Sequence, residues 1–155
     1  MALAAFLSGC SSTGPAPEII APSSNEVLSL EASGEQIFQC SRDSQGWYWK
    51  FLTPNAYLFD PQSNQAVIKH GYRFGFAHND GSKLSARIIK VHRNGKDLPQ
   101  ALFLTQSSAH PGALHKIRYV QRTNCQGGLP KTQCTAKQKG EILRVPFSAT
   151  YTFFH

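Results

Sequence analysis

The stretch VPFSATYTFF, just before the C-terminal histidine, constrains the fold more than any other part of the chain. Val145, Phe147, Ala149, Tyr151 and Phe153 are apolar, while Ser148, Thr150 and Thr152 stand between them. A period of two sends alternate side chains to opposite faces of an extended chain, so this segment reads as a strand with one face in a core. Elsewhere, short apolar runs rich in aromatic and β-branched residues follow one another, separated by Gly, Pro, Asn and Asp. They predict strands at 36–40, 46–52, 55–60, 66–70, 76–78, 84–91, 101–105, 116–123 and 145–154. About nine short strands and no long amphipathic helix predict an all-β domain, an antiparallel sandwich or barrel.

Two local details refine this reading. Asn79-Asp80-Gly81-Ser82 lies between two apolar runs, and an Asp-Gly pair readily takes the positive φ angles of a hairpin turn. In the strand that follows, Leu84, Ala86 and Ile88 alternate, and the apolar set then shifts to Ile89 and Val91, a slip that a β-bulge would absorb. The segment NEVLSLEAS at 25–33 is too short to assign as helix or strand.

A chain of 155 residues fits one domain, and no run approaches the roughly 20 apolar residues of a membrane-spanning helix. The N-terminus, MALAAFLSGCSSTGPAPE, is apolar up to Leu7-Ser8-Gly9-Cys10 and then rich in Ser, Pro and Gly. It resembles the lipobox of bacterial lipoproteins, although nothing basic precedes the apolar lead as a signal peptide requires. The resemblance implies lipidation at Cys10, a signal remnant at 1–10, a flexible tether at 11–25 and a single β domain at 26–155. Because Ser11 rather than Asp follows the cysteine, it also implies sorting to the outer membrane of a Gram-negative envelope, facing the periplasm. The lipid bilayer, reached through an acyl anchor, is then one partner.

Residues 1–35 hold four of the nine acidic residues and no Lys or Arg, so the rest of the chain carries all 16 basic residues against five acidic ones, a net of +11. Such a surface favours anionic partners such as lipopolysaccharide phosphates or acidic glycans. A protein tethered in the envelope meets little nucleic acid, and no dense basic cluster interrupts the scatter of Lys131, Lys137 and Lys139. A plain solvated surface is the simpler reading.

Four cysteines are present, at 10, 40, 125 and 134. Cys125 and Cys134 are separated by eight residues, too far for the C-x₂₋₄-C of a structural zinc site or the C-x-x-C of a redox pair. No metal and no cofactor is therefore expected, and a structural disulfide is the default for an exported chain. If Cys10 carries lipid, Cys134 pairs either with Cys125 across the Gly-Gly-Leu-Pro turn or with Cys40 near the first strand.

In order, GEQIFQC, WYWKFLTPNAYLFD, a lone His70 before FGFAHNDGSKL, LPQALFL, IRYVQRTNCQGGLPKTQC and VPFSATYTFF resemble the family known as domain of unknown function 3455. That family comprises secreted or lipid-anchored bacterial proteins and fungal relatives. The resemblance implies a Cys40–Cys134 disulfide, since cysteines commonly occupy those two positions while Thr is usual at that of Cys125. Where relatives often show Trp, this chain has Phe76 and Gln100, so a site lined by those aromatics would take a different ligand here. Some fungal relatives carry a malate dehydrogenase label, but this chain lacks the Gly-x-Gly-x-x-Gly turn of a dinucleotide site.

Candidate binding residues are His70, Phe76, Asp80, Gln121 and Arg122. His70 lies on the Ile68 face of its strand, where it serves either as a proton-exchanging group or as a hydrogen-bonded histidine closing the core. Asp80 and Ser82 belong to the turn, where Asp caps backbone amides. Gln121 falls on the phase of Ile117 and Tyr119 and is expected to point inward or into a pocket mouth. Arg118 and Arg122 share the opposite face with Val120; such a pair can grip a carboxylate or phosphate, though a solvated face is the plainer assignment. Trp47, Trp49 and Phe51 alternate on one face, more in keeping with a core than with a sugar-stacking platform. The six histidines are scattered singly, and no Gly-x-Ser-x-Gly elbow, His-Glu-x-x-His pair or phosphate-cradling loop is present, so no catalytic residue is assigned. The expected function is non-enzymatic: an envelope lipoprotein whose β domain binds a small molecule, glycan or envelope component. An enzyme using His70 as acid or base, and a basic module adhering to anionic polymers, are the alternatives.

Overall fold

Each predicted apolar run becomes part of one closed sheet. The computed structural model describes residues 19, 21, 22 and 25–155, so Cys10 and the lipobox lie outside the described residues. The strands are β1 (Glu26–Asp43), β2 (Gly46–Phe59), β3 (Ala66–Gly71), β4 (Gly75–His78), β5 (Lys83–His92), β6 (Gln100–Ser107), β7 (Tyr119–Gly127) and β8 (Ile142–Phe154). Every strand pairs antiparallel with the next, and β8 closes on β1. The fold is an eight-stranded up-and-down barrel. Closure leaves no edge strand to template aggregation.

Eight strands rather than nine arise because the runs 46–52 and 55–60 join into β2. The register slips by one residue where Ile37 faces Thr53 and Phe38 faces Phe51, which absorbs Leu52 as a bulge. NEVLSLEAS is extended and forms the first half of β1, held by β8 from Glu26↔Phe154 onward. The bulge expected in β5 is present: Ile88 faces Phe103 and Lys90 faces Leu102, so Ile89 is extruded and 42% exposed, and Val91 returns to the inner phase.

The long β1 touches both neighbours along most of its length, and its inner phase is Leu30, Ala32, Gly34, Gln36, Phe38 and Cys40. Gly34 is a point of close approach between β1 and β2. A Cβ there would run into the backbone of Asn55 and Ala56, so only glycine lets the strand curl inward.

An eight-stranded barrel has an interior just wide enough for side chains to fill. Phe76, Phe103, Tyr151 and Phe153 pack edge-to-face inside it, with Leu30, Leu58 and Ile68 around them. One end carries the 79–82 hairpin and the 108–118 connection, which sends Leu114 and Ile117 into the same core. The other end carries the 44–45, 72–74, 93–99 and 128–141 connections. Here the Cys40–Cys134 disulfide ties β1 to the β7–β8 connection, with Cα atoms 5.8 Å apart. Cys125 is a free thiol.

Within the stretch read as a tether, Ile19 and Ala21 are buried on the outside of the barrel against Leu102, with Tyr119 and Phe154 beside them. Among the described residues no helix is long and apolar enough to cross a membrane.

Candidate functional site

The two ends of the barrel differ. Hydrogen bonds stitch the 79–82 end shut. Asp80 Oδ1 accepts from the Ser82 hydroxyl at 2.6 Å and Oδ2 from the Ala113 amide at 2.7 Å, while the Leu114 amide donates to Ser82 Oγ at 3.1 Å. The Ser82 hydroxyl first, and then the Ala113 amide, hold the Asp80 carboxyl well below the usual carboxylate range. Gly81 alone takes the positive φ of that turn, at 93°. The hairpin residues thus anchor a plug and open no site. His78 is committed to the same turn, accepting from the Asp80 amide at 3.0 Å.

At the opposite mouth the packing gives way to a pocket of about 290 Å³. Phe38, Phe51, Phe74, Ile88, Leu98 and Leu129 form its apolar lining, and Gln36, Arg93, Asp97 and Arg122 supply polar groups. That volume sits at the small end of ligand sites, which run to roughly 300–1,000 Å³ and are apolar with a few polar groups. Phe51 stacks on Phe74 with centroids 5.6 Å apart, and Phe38 meets Phe51 edge-on at 5.7 Å. Arg73 and Phe74 both hold left-handed backbone, with φ of 55° and 56°. For a non-glycine residue that costs about 1–2 kcal/mol, strain of a kind concentrated at binding and switch sites. On the far side Gly127 and Gly128, at φ of 70° and 86°, turn β7 toward Leu129; a Cβ on Gly128 would press on Leu98 and Phe147.

Arg122 reverses the face assigned to it from sequence. It faces Ala101 on β6 and Tyr151 on β8, both core residues, and is only 3% exposed. Its Nε and Nη2 donate to the Pro99 carbonyl at 3.0 and 2.8 Å, and the guanidinium lies 5.5 Å from the centre of the Phe103 ring. The ion pairs among the described residues are His78–Asp80 and Arg144–Glu35, so Arg122 has no carboxylate within 4.0 Å. Asp97, in the same pocket, is engaged by the Gly127 amide at 2.9 Å. Taking a cation out of water costs several kcal/mol, and a carbonyl and an aromatic face offset only part of this.

Gln121, expected inside, is on the outer face. It pairs with Leu102, whose side chain packs against Ile19 and Ala21, and it is 7% exposed beneath that side of the barrel. The physical reason is that Ile117 belongs to the turn before the strand, its amide donating to the Leu114 carbonyl at 3.4 Å, so β7 starts at Tyr119 and the phase read through from Ile117 is inverted.

His70 and Phe76 are inside, but neither lines the mouth. The His70 ring is fully buried, stacks on Phe76 with centroids 4.0 Å apart and meets Tyr151 edge-on at 5.3 Å. Nδ1 lies 3.0 Å from the Gly75 carbonyl, which can only accept, so Nδ1 carries the proton and Nε2 is a bare acceptor with no partner. Burial drives its pKa down to about 3, with Arg122 and Lys69 adding to the effect. A histidine so placed is neutral at physiological pH. The Tyr151 hydroxyl and Gln36 Nε2 are likewise buried without a partner. Burial raises the pKa of the Tyr151 hydroxyl and of the Cys125 thiol, and Arg122 is the charge that opposes both shifts.

Among the described residues no group of three or more His, Cys, Asp and Glu could hold a metal ion. Of the five candidate binding residues read from sequence, only Arg122 lines the pocket, joined there by Phe51 from the aromatic face of β2. Gln36 was missed, although it stands on the phase of Phe38 and Cys40 and so had to face inward once that strand was accepted.

A family profile described as a protein of unknown function (DUF3455) matches residues 21–155. The chain belongs to the DUF3455 family. No curated protein and no solved structure is matched by the chain. The DUF3455 match begins at Ala21, so it includes one of the two residues docked on the barrel wall, though not Ile19, as well as the whole meander.

Proposed function

We propose that this DUF3455 protein is a non-enzymatic binding domain of the cell envelope, and that the open mouth of its barrel takes a small, largely apolar molecule. One observation carries the reading. A barrel whose interior is filled by aromatic and aliphatic side chains keeps, at its 93–99 end, an apolar pocket containing a buried arginine without a counter-ion and an amide nitrogen without a partner. The apolar lining favours a small organic ligand over a glycan, whose many hydroxyls would each need a partner. The depressed pKa of His70 and its burial behind Phe74, outside the pocket lining, weigh against acid–base chemistry there.

The envelope location draws support from the Leu7-Ser8-Gly9-Cys10 sequence and from a disulfide, which persists in oxidising compartments. In this reading Cys10 carries an acyl anchor and the barrel hangs from the outer membrane into the periplasm.

The test uses the full chain expressed in a Gram-negative host. Envelope extract is passed over the purified native protein and over an Ile88→Trp variant, and retained small molecules are identified by mass spectrometry. The native protein is expected to retain a compound that the variant, its mouth filled by the larger ring, does not. Equal retention by both places binding elsewhere and refutes the pocket. For the anchor, Cys10→Ala is expected to move the protein from the membrane to the soluble fraction; unchanged partition refutes lipidation.

A further inference from the structure

We infer that the mouth pocket recognises a small monocarboxylic acid, with the carboxylate held by Arg122 and Gln36 and the apolar body lying against Phe38, Phe74 and Leu98. This rests on the pocket reading above and narrows it to one ligand chemistry.

Three features of the site point the same way. Both polar side chains are essentially out of solvent, Arg122 at 3% and Gln36 at 1% exposure, yet both line the pocket. Each retains donor capacity. Gln36 Nε2 makes no hydrogen bond, and Arg122 spends Nε and one Nη2 hydrogen on the Pro99 carbonyl, with only the neutral Tyr151 hydroxyl and Cys125 thiol interacting with the rest of the guanidinium. A pocket that offers N–H groups in this way calls for an acceptor, and a cation without a carboxylate nearby calls for an anion.

The number of free donors narrows the anion. A phosphate brings three strongly accepting oxygens and about two negative charges, which suit several converging donors. Here one guanidinium edge and one amide remain, a match for the two oxygens and single charge of a carboxylate. The Pro99 carbonyl also fixes the guanidinium before any ligand arrives, and the Phe103 ring supports its face, so little side-chain freedom is lost on binding. Apart from Asp97, the rest of the lining is apolar and offers nothing to a second negative charge except the exposed Arg93. Asp97, which would repel an acid, is tied to the Gly127 and Asn94 N–H groups.

The experiment compares 4-phenylbutyrate and decanoate with their neutral counterparts, 4-phenylbutyramide and decanamide, by calorimetric titration of the disulfide-intact protein. The side-chain signals of Arg122 Nε and Gln36 Nε2 are followed by NMR. Acids are expected to bind at least about tenfold more tightly than the amides, a difference of roughly 1.4 kcal/mol. Both side-chain signals should shift. Gln36→Glu supplies an internal carboxylate beside Arg122 and is expected to remove the preference while sparing amide binding; Arg122→Gln should do the same. Should Arg122→Gln unfold the barrel, Gln36→Glu and the NMR shifts still decide. Acids and amides binding equally would overturn the carboxylate inference while leaving the pocket reading intact. A preference for acids that survives Gln36→Glu would overturn it too, because the charge would then be read elsewhere. If no probe binds, both readings fall together.

Discussion

His70 offers the sharpest quantitative test, because its burial sets the sign of a pH effect. In the folded barrel its pKa lies near 3, against 6.5 when it is free, as it is in the unfolded chain. Below pH 6.5 the unfolded chain therefore binds a proton that the folded chain refuses, and stability falls as pH falls. The slope approaches about 1.36 kcal/mol per pH unit. Relative to pH 7.5, the loss is about 1 kcal/mol at pH 6 and about 2 kcal/mol at pH 5, with the full effect reached only near pH 3. Asp80 does not interfere in this window. Its carboxyl is held below the ordinary range, so its contribution is present above about pH 4 and is lost only beneath that.

The comparison is with His70→Phe, a ring of similar shape that stacks on Phe76 but does not titrate. It forfeits the hydrogen bond to the Gly75 carbonyl, at a cost of about 1 kcal/mol at neutral pH. Urea unfolding at pH 7.5, 6.5, 6 and 5 should show the native protein ahead at neutral pH and the two curves crossing near pH 6. The five other histidines, present in both proteins, contribute a common background. Parallel loss of stability by the native protein and the variant between pH 6.5 and 5 would refute the claim that His70 is neutral in the folded barrel.

Further perturbations test the frame around the site. Replacing Cys40 and Cys134 together by Ala removes a cross-link between residues 94 apart and is expected to cost about 4 kcal/mol in guanidinium unfolding; a loss under about 1 kcal/mol would mean the bridge does little to restrain the unfolded chain. Gly34→Ala places a Cβ against the backbone of Asn55 and Ala56 and should destabilise by more than about 2 kcal/mol in the same assay, whereas a neutral result would show that β1 and β2 can part there. Asp80→Ala removes the carboxylate that accepts from the Ala113 amide and holds the Ser82 hydroxyl against the Leu114 amide, so amide hydrogen exchange at Ala113 and Leu114 should accelerate at least about tenfold while Val120 is unaffected. Unchanged exchange at those two amides would show that the plug holds without the turn.

Much of the barrel was legible because period-two alternation depends only on neighbouring residues. Val145 to Phe153, the bulge at Ile89 and the Asp80-Gly81 hairpin all appear where that alternation and turn chemistry put them. Trp47, Trp49 and Phe51 do share a face, but only the last of them reaches the pocket. The Cys40–Cys134 bridge is implied by the resemblance alone, because local spacing favours Cys125 across the Gly-Gly-Leu-Pro turn and leaves Cys40 as the rival.

What failed was the phase of β7. Reading alternation backward to Ile117 required the chain to stay extended from Ile117 to Tyr119, but Ile117 sits in the turn before the strand, and the inner and outer roles of Gln121 and Arg122 are exchanged. The sequence by itself determined that strands form and which side chains alternate, since those follow from local geometry and the exclusion of apolar groups from water. Only the tertiary structure decided that eight strands close on themselves, which end is plugged by Leu114 and Ile117, and that Gln36 and Arg122 meet one pocket. Those outcomes depend on contacts between residues far apart in the chain, such as Gln36 and Val145 or Arg122 and Tyr151, and no local pattern encodes them.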